Sequence, residues 1–114
     1  MQYYAFLVHN IRVGVLGASG YAGRELCALV AGHPHFRLAF ATANAQRGTT
    51  LRVKAGGRVV SVPLVGTDDI VLHDADLVFC ALPHGASAEW VVRALAAGPR
   101  VVDLSSDLRP GHGG

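Results

Sequence analysis

Three glycines, Gly17, Gly20 and Gly23, stand three residues apart in "GVLGASGYAG", between an apolar run and the first residues able to begin a helix. Bare backbone at such a junction suits an anion. The free N–H groups of a helix's first turn carry partial positive charge, and a loop without side chains lets a phosphate come within hydrogen-bonding reach. In this pattern Gly17 permits a tight exit from a strand, Gly20 lets the backbone approach a pyrophosphate, and Gly23 lets the helix lie against a sheet. Ala18, Ser19, Tyr21 and Ala22 complete the loop, with Tyr21 either a groove wall or a capping aromatic. The spacing is GxxGxxG and not GxGxxG, and a purely structural tight turn is the competing reading of the same glycines.

Strands and helices taking turns must position that loop. "IRVGVLG" (11–17) is short and β-branched, which predicts a buried strand. From Gly20 to about Ala31, Ala22, Leu26, Leu29 and Val30 recur at i, i+4, i+7 and i+8, one face of a helix. Pro34 then disfavours helical backbone at His33. "FRLAFATA" (36–43) reads as a second strand and "NAQRG" as a loop. The stretch 49–73 carries the weakest pattern, with an edge strand over Arg58–Val65 where Pro63 is tolerable. "DADLVFCALP" (74–83) reads as a buried strand. Ala88, Val91, Val92 and Leu95 form a helical stripe through "ASAEWVVRALAAG", which Gly98 and Pro99 end. "RVVDLSS" (100–106) is the last strand.

This order predicts an α/β fold, a doubly wound parallel sheet with helices on both faces. Ligands bind such sheets beyond the carboxyl ends of the strands. The notable residues all fall there: Gly17–Gly23 after the first strand, Thr42–Arg47 after the second, Leu82–Gly85 after a later one, and Leu104–Arg109 after the last. His84, between Pro83 and Gly85, reads as lining a cofactor groove and not as a proton-transfer group. Trp90 lies off the apolar stripe of its helix, so the expectation is that it marks a contact with a missing partner surface or a second chain.

The whole chain supports one such domain. Its 114 residues are 51% hydrophobic and 16% charged, enough to bury roughly two-thirds of the unfolded surface. A formal charge of +2 argues for neither nucleic acid nor membrane partners. Cys27 and Cys80 stand far apart with no ligand spacing, so neither a metal site nor a disulfide framework is expected, and a reducing, cytoplasmic setting fits. Residues 1–10 read as an irregular leader, lacking a basic flank and the length to span a bilayer. Residues 11–110 read as a dinucleotide-binding domain and 111–114 as a frayed or cut end.

Cofactor choice is read after the second strand, where an NAD site carries Asp or Glu to hold the ribose 2′-hydroxyl. "ATANAQRG" has no carboxylate. A 2′-phosphate meets no repulsion there, and Thr42 or Arg47 is placed to contact it, so NADP(H) is favoured over NAD(H). The alternative for Arg47 is a solvated loop cation.

"GVLGASGYAGRELCALVAGHP", "DLVFCALPHGASAE" and "RVVDLSSDLRP" resemble the cofactor domain of the N-acetyl-gamma-glutamyl-phosphate reductases, relatives of aspartate-semialdehyde dehydrogenase. The resemblance covers about Ile11 to Pro110. It implies a Rossmann-type NADP-binding domain, truncated before the catalytic and dimerisation domain, of an enzyme that reduces an acyl phosphate to a semialdehyde in arginine biosynthesis. By that resemblance Gly17, Ser19, Gly20, Tyr21 and Gly23 line the pyrophosphate. Leu82, Pro83 and His84 border the groove from adenine to nicotinamide. Ser105, Ser106 and Arg109 lie near the nicotinamide or substrate end, Arg109 proximal to substrate. The family often has Ser-Arg after the second strand where this chain has Ala43-Asn44. A homo-oligomeric full-length protein is also implied.

In that family a cysteine forms an acyl-enzyme thioester and a histidine assists proton transfer, both in a following domain. A nucleophilic cysteine needs a depressed pKa and a base at hydrogen-bond reach. Cys27, inside a helix, and Cys80, inside a strand, read instead as small core residues, so no catalytic residue is assigned within the 114. Two classes of function stay open on sequence alone: the cofactor half of an acyl-phosphate reductase, of the arginine pathway or its lysine-pathway homologue, and a non-catalytic dinucleotide-binding or sensor module.

Overall fold

The computed structural model of the chain describes residues 10–104; the leader, Ser105, Ser106, Arg109 and the final residues lie outside them. Strand β1 (Ile11–Leu16) is buried at its last four positions. It pairs in parallel with β2 (Phe36–Thr42) on one side and β5 (Leu77–Cys80) on the other, and β5 pairs in parallel with β6 (Arg100–Asp103). The sheet order is therefore β2-β1-β5-β6. Helix α1 (Tyr21–Gly32) joins β1 to β2, and α2 (His84–Ala97) joins β5 to β6. The chain thus winds outward from β1 in both directions, which opens a crevice between β1 and β5 at their carboxyl ends.

Alternation along β1 splits the core between the two faces. Val15 packs with Cys27 of α1, while the next residue, Leu16, packs with Val78, Cys80 and Ala94 of α2. Helices therefore cover both faces, as the element order predicts. Among the described residues no helix is long and apolar enough to cross a membrane.

The buried stripes overlap in part with those read in the sequence: Val30 is buried and Leu26 and Val91 pack on the core. On α1 the buried positions are Gly23, Cys27 and Val30, and Leu29 is 68% exposed. On α2 Ser87 and Ala94 are buried and Val91 packs on the core, whereas Val92 and Leu95 point to solvent. At Gly23 the reason is space: a Cβ there would overlap the carbonyl oxygen of Gly17. Trp90 is partly buried against the α2-side core, and Arg93 stacks on its ring at 4.6 Å.

The weakly patterned stretch is a hairpin. β3 (Thr50–Ala55) and β4 (Arg58–Pro63) pair antiparallel as a separate two-stranded sheet, with Leu51, Val53 and Val62 packed on the α1-side core. Gly56 and Gly57 turn it at φ +59° and +82°, the two-residue turn whose twist matches paired strands. The run expected as a strand over 74–83 is strand only over Leu77–Cys80, preceded by short 3-10 turns at Thr67–Asp69 and Leu72–Asp74.

At the amino ends of the strands, Arg12 and Asp76 pair through Nη2–Oδ1 at 3.0 Å and Nε–Oδ2 at 3.2 Å, and the Arg12 backbone N–H donates to Oδ2 at 2.9 Å. These bonds hold the Asp76 carboxyl below its usual pKa. The pair is half-exposed, so it fixes the register of β1 against β5 more than it stabilises.

A Cβ on Gly14 would overlap the Phe40 ring of β2. Gly14→Ala is therefore expected to destabilise the domain by about 1–3 kcal/mol through overpacking, read as a lower urea midpoint by circular dichroism. Phe40→Leu in the same background should recover part of the loss, and an unchanged midpoint for Gly14→Ala would contradict the packing.

Candidate functional site

A cavity of about 640 Å³ opens at the carboxyl ends of the strands. Gly17, Ser19, Gly20 and Ala22 form one wall, at the exit of β1 and the start of α1. Thr42, Ala43 and Asn44 bring in the end of β2, and Thr67 the turn beside it. Ala81, Leu82, Pro83 and Ala86 supply the β5–α2 wall, and Leu104 closes the side after β6.

The three glycines differ in what requires them. Gly17 has φ +89°, and a Cβ there would stand 2.7 Å from the carbonyl oxygen of Ala81, so both conformation and space exclude a side chain. A Cβ on Gly23 would overlap the carbonyl oxygen of Gly17, so this glycine brings α1 against the turn. Gly20 has nothing within 4 Å of where its Cβ would be. The chain's own packing demands two of the glycines, and bare backbone at the third faces open space in the cavity wall.

Electrostatics favour an anion there. Gly20 is the N-cap of α1 and Pro83 that of α2; neither helix has a side-chain cap or an acidic residue in its first turn. Both positive helix ends thus reach the same cavity, and no carboxylate in either first turn competes for them.

Thr42 lines the cavity and also bonds the glycine turn. It is fully buried, and its Oγ1 accepts the Gly17 N–H at 3.1 Å while its carbonyl accepts the N–H of Gly17 at 3.2 Å and of Ala18 at 2.7 Å. This holds the glycine turn to the end of β2. Ala18 is buried beneath the turn, and Tyr21 is 81% exposed and outside the cavity wall. Arg47 does not line the cavity; its Nη1 would lie 3.3 Å from a Cβ on Gly66. Leu82 and Pro83 line the cavity, and His84 opens α2.

Thr67 carries no sequence signal. It reaches the site because Val65 bridges to Thr42, with Val65 N–H donating to Ala41 at 3.1 Å and Ala43 N–H to Val65 at 2.9 Å. Asn44 then accepts through Oδ1 from the Thr67 backbone N–H at 2.8 Å and from its hydroxyl at 3.3 Å.

This arrangement, a parallel sheet whose winding reverses beside a glycine turn and two uncapped helix ends, defines a Rossmann-type dinucleotide-binding domain. The semialdehyde dehydrogenase NAD-binding domain family matches residues 12–112, and the chain belongs to that family. It is 52% identical over 101 residues to the N-acetyl-gamma-glutamyl-phosphate reductase of Salinispora arenicola, a match covering 88% of this chain and 30% of that protein. A probable chloroplastic N-acetyl-gamma-glutamyl-phosphate reductase of Arabidopsis thaliana is 41% identical, over 88% of this chain and 25% of that protein. The chain thus spans about 30% or less of the length of these relatives. Among solved structures, an aspartate semialdehyde dehydrogenase of Candida albicans with NADP shares the fold at TM-score 0.70 and 21% identity, over 89% of this chain and 31% of that one. A probable aspartate-semialdehyde dehydrogenase of Pseudomonas aeruginosa matches at TM-score 0.65 and 30% identity, over 90% of this chain and 30% of that one.

Both cysteines lie in the core, Cys27 on α1 and Cys80 in β5. Burial pushes the Cys27 thiol up to about 11 and raises that of Cys80 as well. Since the thiolate is the reactive form, the native chain at pH 8 is expected to react slowly with a disulfide reagent such as DTNB, and both thiols rapidly in urea. Fast modification of either in the native chain would contradict its assignment to the core.

Proposed function

We propose that this chain is the NADP(H)-binding domain of an N-acetyl-gamma-glutamyl-phosphate reductase, an enzyme that reduces an acyl phosphate to a semialdehyde in arginine biosynthesis. The observation that carries the cofactor reading is Gly20: uncapped, without a side chain, and with free space where packing asks for nothing. The identity to reductases over 88% of the chain carries the choice of enzyme.

The residues present fit the nucleotide. The first-turn N–H groups of α1, beside Ser19 and Gly20, would hold the pyrophosphate. The end of β2 would hold the adenosine ribose, and Leu82 and Pro83 would border the path toward the nicotinamide. NADPH, when bound, supplies a hydride. The domain's own part is to bind and orient the nucleotide so that this hydride faces the acyl carbon. Cys27 and Cys80 take no part in acyl transfer, being buried and protonated near neutral pH. Ser105, Ser106 and Arg109 belong, on this reading, to the nicotinamide and substrate end.

Isothermal titration tests the cofactor assignment. No carboxylate lies in the loop after β2, so NADPH should bind more tightly than NADH. Gly20→Val should lose both while circular dichroism stays unchanged, because the added side chain meets only the space the pyrophosphate needs. Equal affinities would sink the NADP preference, and normal binding by the valine variant would make the glycine turn purely structural.

A further inference from the structure

Asn44 and Thr67 meet in the cavity wall at the end of β2, where a dinucleotide fold places the adenosine ribose. A carboxamide has two faces, an accepting oxygen and a donating NH2, and which of them meets a ligand decides what it recognises. Here the protein fixes the answer. The Thr67 backbone N–H can only donate, so the Asn44 atom 2.8 Å from it is the oxygen. The Thr67 hydroxyl donates to the same oxygen at 3.3 Å. Among the described residues no acceptor takes the Asn44 NH2, so the side chain has only N–H donors left to offer.

Its surroundings do not decide the matter by charge. Arg47 Nη1 and Asp69 Oδ2 would lie 3.3 Å and 3.0 Å from a Cβ on Gly66, so a cation and an anion flank the same point. Asp69 Oδ2 is also taken, by the Gly66 N–H at 3.2 Å. Direction of hydrogen bonding is what remains. A ribose 2′-hydroxyl that is to be held by donation needs an acceptor, the task a carboxylate performs in NAD sites. The Asn44 oxygen could do it and is already engaged. A 2′-hydroxyl can also accept from the free NH2, but a largely dianionic 2′-phosphate is the stronger acceptor and so the better match.

We propose that Asn44, oriented by Thr67, is the residue that reads the 2′ substituent of the bound nucleotide, as a donor and not as an acceptor. This rests on the NADP(H) reading above and assigns its specificity to a pair drawn from two separate segments.

The test uses 2′,5′-ADP and 5′-AMP, which carry the adenosine half with and without the 2′-phosphate. The chain should bind 2′,5′-ADP more tightly. Asn44→Leu should weaken 2′,5′-ADP about tenfold, the loss of one hydrogen bond to a charged group, and leave 5′-AMP within about twofold. Asn44→Asp, which keeps the bond from Thr67 through one oxygen and presents the other, should weaken 2′,5′-ADP further. In the unaltered chain the Asn44 NH2 proton resonances should shift more with 2′,5′-ADP than with 5′-AMP. An unchanged ratio in Asn44→Leu, equal loss of both ligands, or unmoved NH2 resonances would overturn the proposal while leaving nucleotide binding intact. Failure of the unaltered chain to bind either ligand would instead overturn the NADP(H) reading and this inference with it.

Discussion

The structure depends on one crowded point, the Gly17 turn. There the exit of β1 is pressed against the backbone of Ala81 after β5, with room for no Cβ. Two groups of Thr42 at the end of β2 take the Gly17 N–H, and the Ala81 N–H donates to Leu16 at 2.8 Å. Gly23 lets α1 sit directly against the same turn. The ends of three strands and the start of a helix thus converge within a few ångströms. Any side chain at Gly17 or Gly23 would push them apart, and the walls of the cavity would move with them.

From that constraint the chemistry follows. Close convergence leaves the two helix starts pointing into a common space with their first N–H groups uncapped, and a polar backbone left facing a cavity is best satisfied by an anionic ligand. The same packing disposes of the thiols. Cys27 and Cys80 fill small gaps against the sheet, and the burial that makes them good core residues raises their pKa, the opposite of what a nucleophile needs. Both cysteines serve packing and not attack on a substrate.

The parallel sheet and glycine turn were legible because each rests on local pattern: β-branched runs, a glycine triplet at a strand-to-helix junction, and Gly98 ending α2. The helix faces were not. Leu29, Val92 and Leu95 look like core by hydropathy but are exposed, while Cys27, Ser87 and Ala94 are buried, and Gly23 is buried where a Cβ would overlap the Gly17 carbonyl. The hairpin was legible in principle, since Leu51, Val53 and Ala55 alternate with polar residues ahead of the Gly56-Gly57 turn, a signal weakened by the apolar outer positions of β4. Thr67 was beyond reach. It joins the site only through a bridge between Val65 and Thr42, a tertiary contact that leaves no periodic trace.

The central claim is that a dinucleotide lies across the two helix starts, between β1 and β5. The most direct measurement is an amide chemical-shift titration of the isotopically labelled chain with NADP⁺. The account requires the largest shifts at Ser19–Ala22, Asn44, Thr67 and Ala81–Ala86, with the opposite end of the sheet, Arg12, Asp76 and Gly98, unmoved. Shifts concentrated at Arg12, Asp76 and Gly98, with none in the glycine turn, would contradict it.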